Sequence, residues 1–526
     1  MNLNIFRLTF FMALLCAAPL FVFAQTNEDL AAKIKAIDEY AEKARRDWNV
    51  PGLAIAIVKD DKVLLAKGYG VRELGKPEKV DENTLFAIAS NSKAFTTASL
   101  AILADEGKLS WDDKVTKYLP EFQLSDSYVT REITIRDLVS HRSGLATFGG
   151  DLLWYETNYT PDQILSRIRY LKPTSSFRSR YGYQNVMFIA AGKVVEKASG
   201  VSWGEFVKTR ILEPLRMDNT TVTIRDFKTN GNIATPHNLQ PETENLRPIR
   251  YGNVDGAQAA AGINSSAADL SSWLKLQLER GKFEGKQIFS EKQSWEMQQP
   301  NTVIPISPAA AKFNPSRHFN LYGLGWFLSD YRGRKMVSHG GALDGMFSQT
   351  AMLPEENLGV VVLTNAETPV YTAIVNKALD TFLDASPPRD WSADILERVK
   401  QGKAAEAEEK KKIEAARVPD TKPSLPLAAY AGTYGGALYG DARVTEENGK
   451  LVVRLAPAAN FVGDLEHWHY DTFRIKWRDS VVYSFGRGFV TFVIDENGKP
   501  SEMKIDVPNP DFDFKELEFR RVDNQK

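Results

Sequence analysis

Apolar side chains recur at helical spacing from Leu30 through Ile34, Ile37, Ala41 and Ala44 to Trp48, which predicts an amphipathic helix that Val50-Pro51-Gly52 terminates. The pattern then changes. Leu53 to Val58 and Val63 to Tyr69 read as two strands joined at Asp60-Asp61, a hairpin signal. Helices and loops follow, among them an apolar helix from Val186 to Ala198 that Gly200 caps. Strand character returns near Tyr322, at Gly325-Trp326-Phe327, at Gln349 to Leu353 and in the run Val360-Val361-Val362-Leu363. Strands at both ends with helices between them predict one α/β (α+β) domain whose sheet is completed by sequence-distant segments.

From Leu396 to Pro426 the texture differs. Gly402 to Arg417 is rich in Ala, Glu and Lys, and Val418-Pro419-Asp420-Thr421-Lys422-Pro423 breaks any helix. The charge run therefore reads as a solvated helix face and linker, not as a binding patch. Beyond it, Phe473, Ile475 and Trp477 alternate with Arg474 and Lys476, the period of a half-buried strand. Asn448-Gly449 and Asn497-Gly498 each favour a type I′ hairpin turn. Short strands and tight turns over about a hundred residues predict a separate antiparallel domain, a small β-barrel. The resulting division is 1–24, 25–395, 396–424 and 425–526.

The first of these segments sets the expected destination. Arg7 precedes an apolar run from Leu8 to Phe23, which ends in Val22-Phe23-Ala24 before the polar Gln25-Thr26-Asn27. This describes a secretory signal peptide, and the run is shorter than the about 20 residues of a membrane-crossing helix. The expectation is a secreted or periplasmic protein with no stable membrane span after cleavage. Cys16, the single cysteine among 526 residues, lies inside this run, and Ala13-Leu14-Leu15 lacks the small residue expected before a lipidated cysteine. Cleavage after Ala24 leaves no disulfide, no thiolate zinc site and no thiol catalysis.

The length exceeds one small binding module. With 66 basic and 67 acidic side chains, the net charge of -1 gives no global electrostatic case for a nucleic-acid partner. His467-Trp468-His469 could set two imidazoles on one strand face, a spacing metals use, but no third ligand is evident and ordinary strand packing accounts for it. No metal and no cofactor are expected.

The most informative stretch is Phe86 to Thr96. From Ser90 onward it reads as a helix that Gly107 ends, so Lys93 stands one turn beyond Ser90 with its amine near the hydroxyl. A serine hydroxyl becomes a good nucleophile when a neighbouring base takes its proton, and a lysine amine can serve if its pKa is lowered. Alone, this pairing is weak evidence, since it occurs by chance and Ser90 or Ser92 could simply cap the helix. Downstream come Tyr181-Gly182-Tyr183-Gln184-Asn185 and then Lys335-Met336-Val337-Ser338-His339-Gly340-Gly341.

These blocks, in this order, resemble the Ser-x-x-Lys, Tyr-x-Asn and Lys/His-x-Gly signatures of the serine β-lactamase-like superfamily of class C β-lactamases and D-alanyl-D-alanine peptidases. Leu138 to Leu145, containing His141-Arg142-Ser143-Gly144, and Ala261 to Leu270 resemble supporting phrases of that family, the former as a structural turn. The resemblance implies a β-lactamase/transpeptidase-like domain with an antiparallel sheet and a helical subdomain. It implies Ser90 as acylated nucleophile, Lys93 as its proton shuttle, and Tyr183 as a second acid/base whose phenol is acidified by nearby cations. Asn185 would orient Lys93 and a substrate amide. His339 would bind a substrate carboxylate or tune Tyr183. The backbone amides of Ser90 and Ala342 would form an oxyanion hole, with Gly340 and Gly341 admitting substrate to the strand edge.

The implied reaction is hydrolysis of a peptide, amide or ester through an acyl-enzyme, as in D-amino-acid peptidases and carboxypeptidases. The alternatives are a class C-like β-lactamase, a promiscuous carboxylesterase, and a non-catalytic penicillin- or peptidoglycan-binding protein. His-Gly-Gly in place of Lys-Thr-Gly points to the peptidase and esterase branches. The C-terminal segment from Leu427 to Val522, with Tyr430-Ala431-Gly432-Thr433-Tyr434 and Asp471-Thr472-Phe473, resembles the lipocalin-like extension of bacterial serine hydrolases. Such a barrel would border the active-site mouth, restrict substrate size or support a homo-oligomer.

Overall fold

The computed structural model describes residues 28–229, 231–240, 245–479, 488–509 and 511–522. The apolar run expected to be a signal peptide lies outside them. Among the described residues no helix is long and apolar enough to cross a membrane.

The sequence of the first strand explains its place at the centre of the molecule. Helix α1 spans 28–47, and strand β1 (Gly52–Lys59) follows with Leu53, Ile55 and Ile57 on one face and Ala54, Ala56 and Val58 on the other. The larger side chains join a core with Ile37 and Ala41 of α1 and with Val370 and Ile374, whereas the alanines lie under Trp273 and Leu274. Helices thus cover both faces of the strand, so its period-two alternation is one of size, not of polarity. Strand β2 (Lys62–Gly70) returns through Asp60 and Asp61, so the expected hairpin forms, and their φ angles of 50° and 59° are positive at both turn positions, as in a type I′ turn.

The remaining elements close the sheet. Helices α2 (Ser92–Asp105), α3 (Asn185–Ser199) and α4 (Ala267–Leu278) come first in the chain. Strands β3 (Thr302–Val303), β4 (Asn320–Tyr322), β5 (Phe327–Tyr331), β6 (Arg334–Leu343), β7 (Met346–Leu353) and β8 (Leu358–Thr364) follow. The order is β2-β1-β8-β7-β6-β5-β4-β3 in an eight-stranded sheet, with β1 pairing β8 from Leu53↔Thr364 to Lys59↔Leu358. The N-terminal hairpin therefore joins strands some three hundred residues later, as the pattern of strands at both ends predicts. Strand β6 pairs β7 along Val337 to Leu343, but β5 pairs it only as far as Ser338. From His339 onward one edge of β6 carries no β5 partner.

Helix α5 (Val370–Phe382) covers the sheet, and helix α6 (Trp391–Ala415) leads away from it. Only Trp391, Ser392 and Ile395 of α6 are buried, so the Ala-, Glu- and Lys-rich stretch is a solvated helix as expected. Its far end is fastened where Glu414 pairs with Arg474 at 2.6 Å.

The C-terminal strands β9 (Gly432–Gly436), β10 (Gly440–Glu447), β11 (Lys450–Leu455), β12 (Val462–His469), β13 (Thr472–Trp477), β14 (Phe489–Ile494), β15 (Pro500–Asp506) and β16 (Phe519–Arg521) form a closed barrel. Phe473, Ile475 and Trp477 point inward and are buried. Asn448 and Gly449, with φ of 52° and 73°, make the expected type I′ turn. The turn at Asn497-Gly498 differs from expectation. Only Gly498 is left-handed, and Asp495 Oδ1 accepts from the amides of both Asn497 and Lys499, which favours a longer loop anchored by the aspartate. A register shift between His467 and His469 interrupts their strand pairing. His467 Nε2 faces the Tyr470 carbonyl, and His469 Nδ1 accepts from the Val418 amide.

The barrel packs against the loop after residue 146. Phe512 meets Tyr155 with ring centroids 4.4 Å apart, and Tyr159 donates to the Tyr439 carbonyl at 2.7 Å. Asn460 donates to Glu156 at 2.7 Å.

Candidate active site

Ser90 sits in a single 3-10 turn, Ala89–Asn91, that runs directly into α2. Ala89 enters this turn with φ of +46°, a left-handed conformation that costs a residue with a side chain about 1–3 kcal/mol and persists only where its surroundings impose it. Those surroundings are visible. Ser348 on β7 donates to the Ile88 carbonyl at 2.8 Å and accepts from Asn91 Nδ2 at 2.8 Å. A Cβ added at Gly341 on β6 would lie 2.0 Å from the same carbonyl, so the strand passes over the turn at a distance only glycine permits. This fixes the Ser90 backbone beside Gly340, Gly341 and Ala342.

Lys93, three residues on, shares a face with Ser90. Its Nζ donates to Ser90 Oγ at 2.9 Å, to Asn185 Oδ1 at 2.6 Å and to the Ala260 carbonyl at 3.0 Å. The side chain is fully buried, and loss of hydration lowers its pKa to about 7, against the opposing pull of Asp151. The lowered pKa that such a base needs is therefore present, and burial produces it. Asn185 opens α3 and spans two groups, since its Nδ2 donates to Asp151 at 2.6 Å. Asp151 also accepts from Trp154 Nε1 at 2.9 Å, yet burial still raises its pKa to about 8.

Tyr183 is bracketed by His141. The Gly182 amide donates to the His141 carbonyl at 2.9 Å, the Gln184 amide donates to His141 Nδ1 at 3.0 Å, and the two rings lie 4.2 Å apart. The His141-Arg142-Ser143-Gly144 turn thus places the tyrosine that the sequence singled out. Lys93 Nζ is 4.8 Å from the centre of the Tyr183 ring. The expectation of an acidified phenol is corrected here. Burial pushes the Tyr183 phenol up, opposed by its hydrogen bond with Ser90 and reinforced by the Asp151 charge.

His339 is the second correction. Its Nδ1 faces the Gly340 carbonyl at 2.7 Å and must donate, so Nε2 is the acceptor for the Tyr322 hydroxyl at 2.9 Å. Burial lowers its pKa to about 3. The ring is neutral with both nitrogens engaged, and it offers neither a charge nor a free N–H to a substrate carboxylate.

Sequence reading brought Ser90, Lys93, Tyr183, Asn185, His339, Gly340, Gly341 and Ala342 to one place. It missed Asp151, Ser348 and Tyr322. Asp151 had only a paired glycine, Gly149-Gly150, to announce a turn. The arrangement can deprotonate a serine, hold a buried base by hydrogen bonds, and present a strand edge beside both.

A family model described as Beta-lactamase matches residues 36–382, and a Domain of unknown function (DUF3471) matches residues 416–521. Unguisins hydrolase ungD' of Aspergillus campestris (strain IBT 28561) is 29% identical over 415 residues, 74% of each chain. The octameric penicillin-binding protein homologue from Pyrococcus abyssi shares the fold with a TM-score of 0.62 at 23% identity, covering 90% of this chain and 98% of that one. The D-amino acid amidase from Ochrobactrum anthropi SV3 does so with a TM-score of 0.55 at 20% identity, covering 66% and 98%.

Proposed function

The chain belongs to the β-lactamase family, and on that premise we propose that it is an exported serine hydrolase cleaving amide bonds of D-amino-acid derivatives through an acyl-enzyme on Ser90. The observation that carries this reading is a buried Lys93 amine 2.9 Å from the Ser90 hydroxyl, with a pKa lowered to about 7. A lysine in this state is a base at neutral pH.

In the proposed reaction Ser90 Oγ bonds to the carbonyl carbon as its proton passes to Lys93 Nζ. The backbone amides of Ser90 and Ala342 meet the developing oxyanion. Tyr183, still a protonated phenol, gives its proton to the departing nitrogen and regains one from Lys93 as that bond breaks. Water then attacks the acyl ester, its proton returns through the same pair to Ser90, and the carboxylic product leaves.

Two features support amide or peptide substrates. The edge of β6 from His339 onward lacks a β5 partner, which suits pairing with an extended acyl group. The neutral His339 supplies no counter-charge, which favours amides and aminopeptidase-type substrates over β-lactams or peptides with a carboxylate beside the scissile bond. The D-amino acid amidase neighbour supports the same class. The same neutrality favours a carboxylesterase as the second reading. Export rests on Arg7 and the apolar run from Leu8 to Phe23.

The test is a hydrolysis panel of D- and L-aminoacyl amides, a p-nitrophenyl ester and a chromogenic cephalosporin, with Ser90→Ala as control. The proposal expects D-amide turnover that Ser90→Ala abolishes. Turnover of the ester alone would establish the second reading, and preferred turnover of the cephalosporin would overturn the proposal.

A further inference from the structure

We propose that Glu516 of the C-terminal barrel is a positioning residue for Lys93, acting through Gly150, Asp151 and Asn185. The inference rests on Lys93 being the base proposed above, and it gives the barrel a part in the chemistry of a site that lies wholly in the other domain.

The connection is continuous. Glu516 Oε2 accepts from the Gly150 amide at 2.8 Å. A Cβ added at Gly149 would lie 3.1 Å from Glu516 Oε1 and 3.6 Å from Gln184 Nε2, so this glycine is held between the barrel carboxylate and the residue preceding Asn185. Gly150 has φ of +82°, a conformation that residues with side chains rarely adopt, and it directs its amide outward to the barrel as the chain turns inward. The next residue is Asp151, whose carboxylate holds Asn185 Nδ2 at 2.6 Å, and Asn185 Oδ1 in turn holds Lys93 Nζ at 2.6 Å. Every link from Glu516 to the Ser90 hydroxyl is a hydrogen bond or a peptide bond.

A second barrel contact provides a control. Glu518 pairs with Lys172 at 2.8 Å on the open surface, where both side chains are more than half exposed. It fastens the same two domains without touching the 149–151 segment.

The test measures acylation of the full-length protein by a fluorophosphonate over a range of reagent concentrations, separating the limiting rate from half-saturation. Glu516→Ala should lower the limiting rate on the order of tenfold at unchanged half-saturation, the effect of a misplaced but chemically intact base. Glu516→Gln, whose amide oxygen can still accept from Gly150, should restore it to within about threefold, and Glu518→Ala should match the wild type. In an Asp151→Asn background the Glu516→Ala effect should vanish, because the relay is already altered at its next link. Glu516→Ala acylating at the wild-type rate would overturn the proposal. So would an equal loss in both backgrounds, which would mark a general effect of barrel docking. A wild type that does not acylate at all would sink the Ser90 reading itself, a result distinct from either.

Discussion

Lys93 and Asp151 are joined through one side-chain amide, that of Asn185, which accepts from the amine at 2.6 Å and donates to the carboxylate at 2.6 Å. Both ionisable groups are buried, and burial moves them in opposite directions, the amine down to about 7 and the carboxyl up to about 8. Each is thereby drawn toward its neutral form near neutral pH. A neutral amine next to a serine is a base, and a neutral acid behind the asparagine adds no charge that would pin the amine's proton.

The rate of acylation should therefore rise with pH through about 7, as Lys93 loses its proton, and level off above it. Below the inflection it should fall about tenfold per pH unit. Burial raises the Tyr183 phenol, so no second inflection is expected immediately above neutrality. Acylation rates across a pH series with a fluorophosphonate report both features.

Asp151 makes the opposite kind of pH statement, about stability. Its folded-state pKa is raised to about 8 from an ordinary carboxylate value. Any stability from the protonated, buried acid is fully present below the unfolded pKa and is lost as pH rises through about 8, since the unfolded chain releases the proton more readily. Asp151→Asn cannot ionise. Its unfolding free energy should gain on the wild type by at most about 1.4 kcal/mol for each pH unit within that window. Urea unfolding at several pH values checks the sign.

The two glycines of β6 should respond differently to alanine. At Gly341 a Cβ would meet the Ile88 carbonyl oxygen at 2.0 Å and Ser348 Oγ at 2.4 Å, both part of the framework that holds the Ser90 turn. Gly341→Ala should destabilise the fold by about 1–3 kcal/mol and reduce acylation sharply. At Gly340 the nearest atom is Gln349 Oε1 at 3.0 Å, the far end of a flexible side chain whose Nε2 donates to the Thr350 carbonyl at 3.2 Å, so Gly340→Ala should cost less than Gly341→Ala. Denaturant midpoints and acylation rates of the two variants give the contrast.

Tyr322→Phe should leave the His339 Nε2 lone pair buried without a donor. The cost is about 1–3 kcal/mol of stability. Acylation of Ser90 should change little, because His339 is neutral and carries no proton in the proposed cycle. Paired unfolding and acylation measurements separate the two effects.

How much of this was legible along the chain depended on sequence distance. The Asp60-Asp61 hairpin and the Ser90 to Lys93 spacing are local, and local periodicity states them directly. The order of the three motifs identified the site because each falls on an element that the sheet and helices bring together. Asp151 was not legible, since its role depends on Asn185 thirty-four positions later and on burial that no local pattern encodes. Glu516 reaches Gly150 across 366 positions and from another domain. The neutral state of His339 follows from its burial, and its tautomer from Gly340 and Tyr322 on the two ring nitrogens, all tertiary facts. At Asn497-Gly498 the dipeptide favoured a tight turn, and the side chain of Asp495 overrode it.

The central claim is that Ser90 is the nucleophile. Intact-mass analysis after exposure to a fluorophosphonate, and separately to a penicillin, tests it most directly. The account predicts one fluorophosphonate adduct per wild-type chain, located on Ser90, and none on Ser90→Ala, with any penicillin adduct following the same dependence. An unmodified wild type, or a Ser90→Ala variant modified to the same extent, would contradict it.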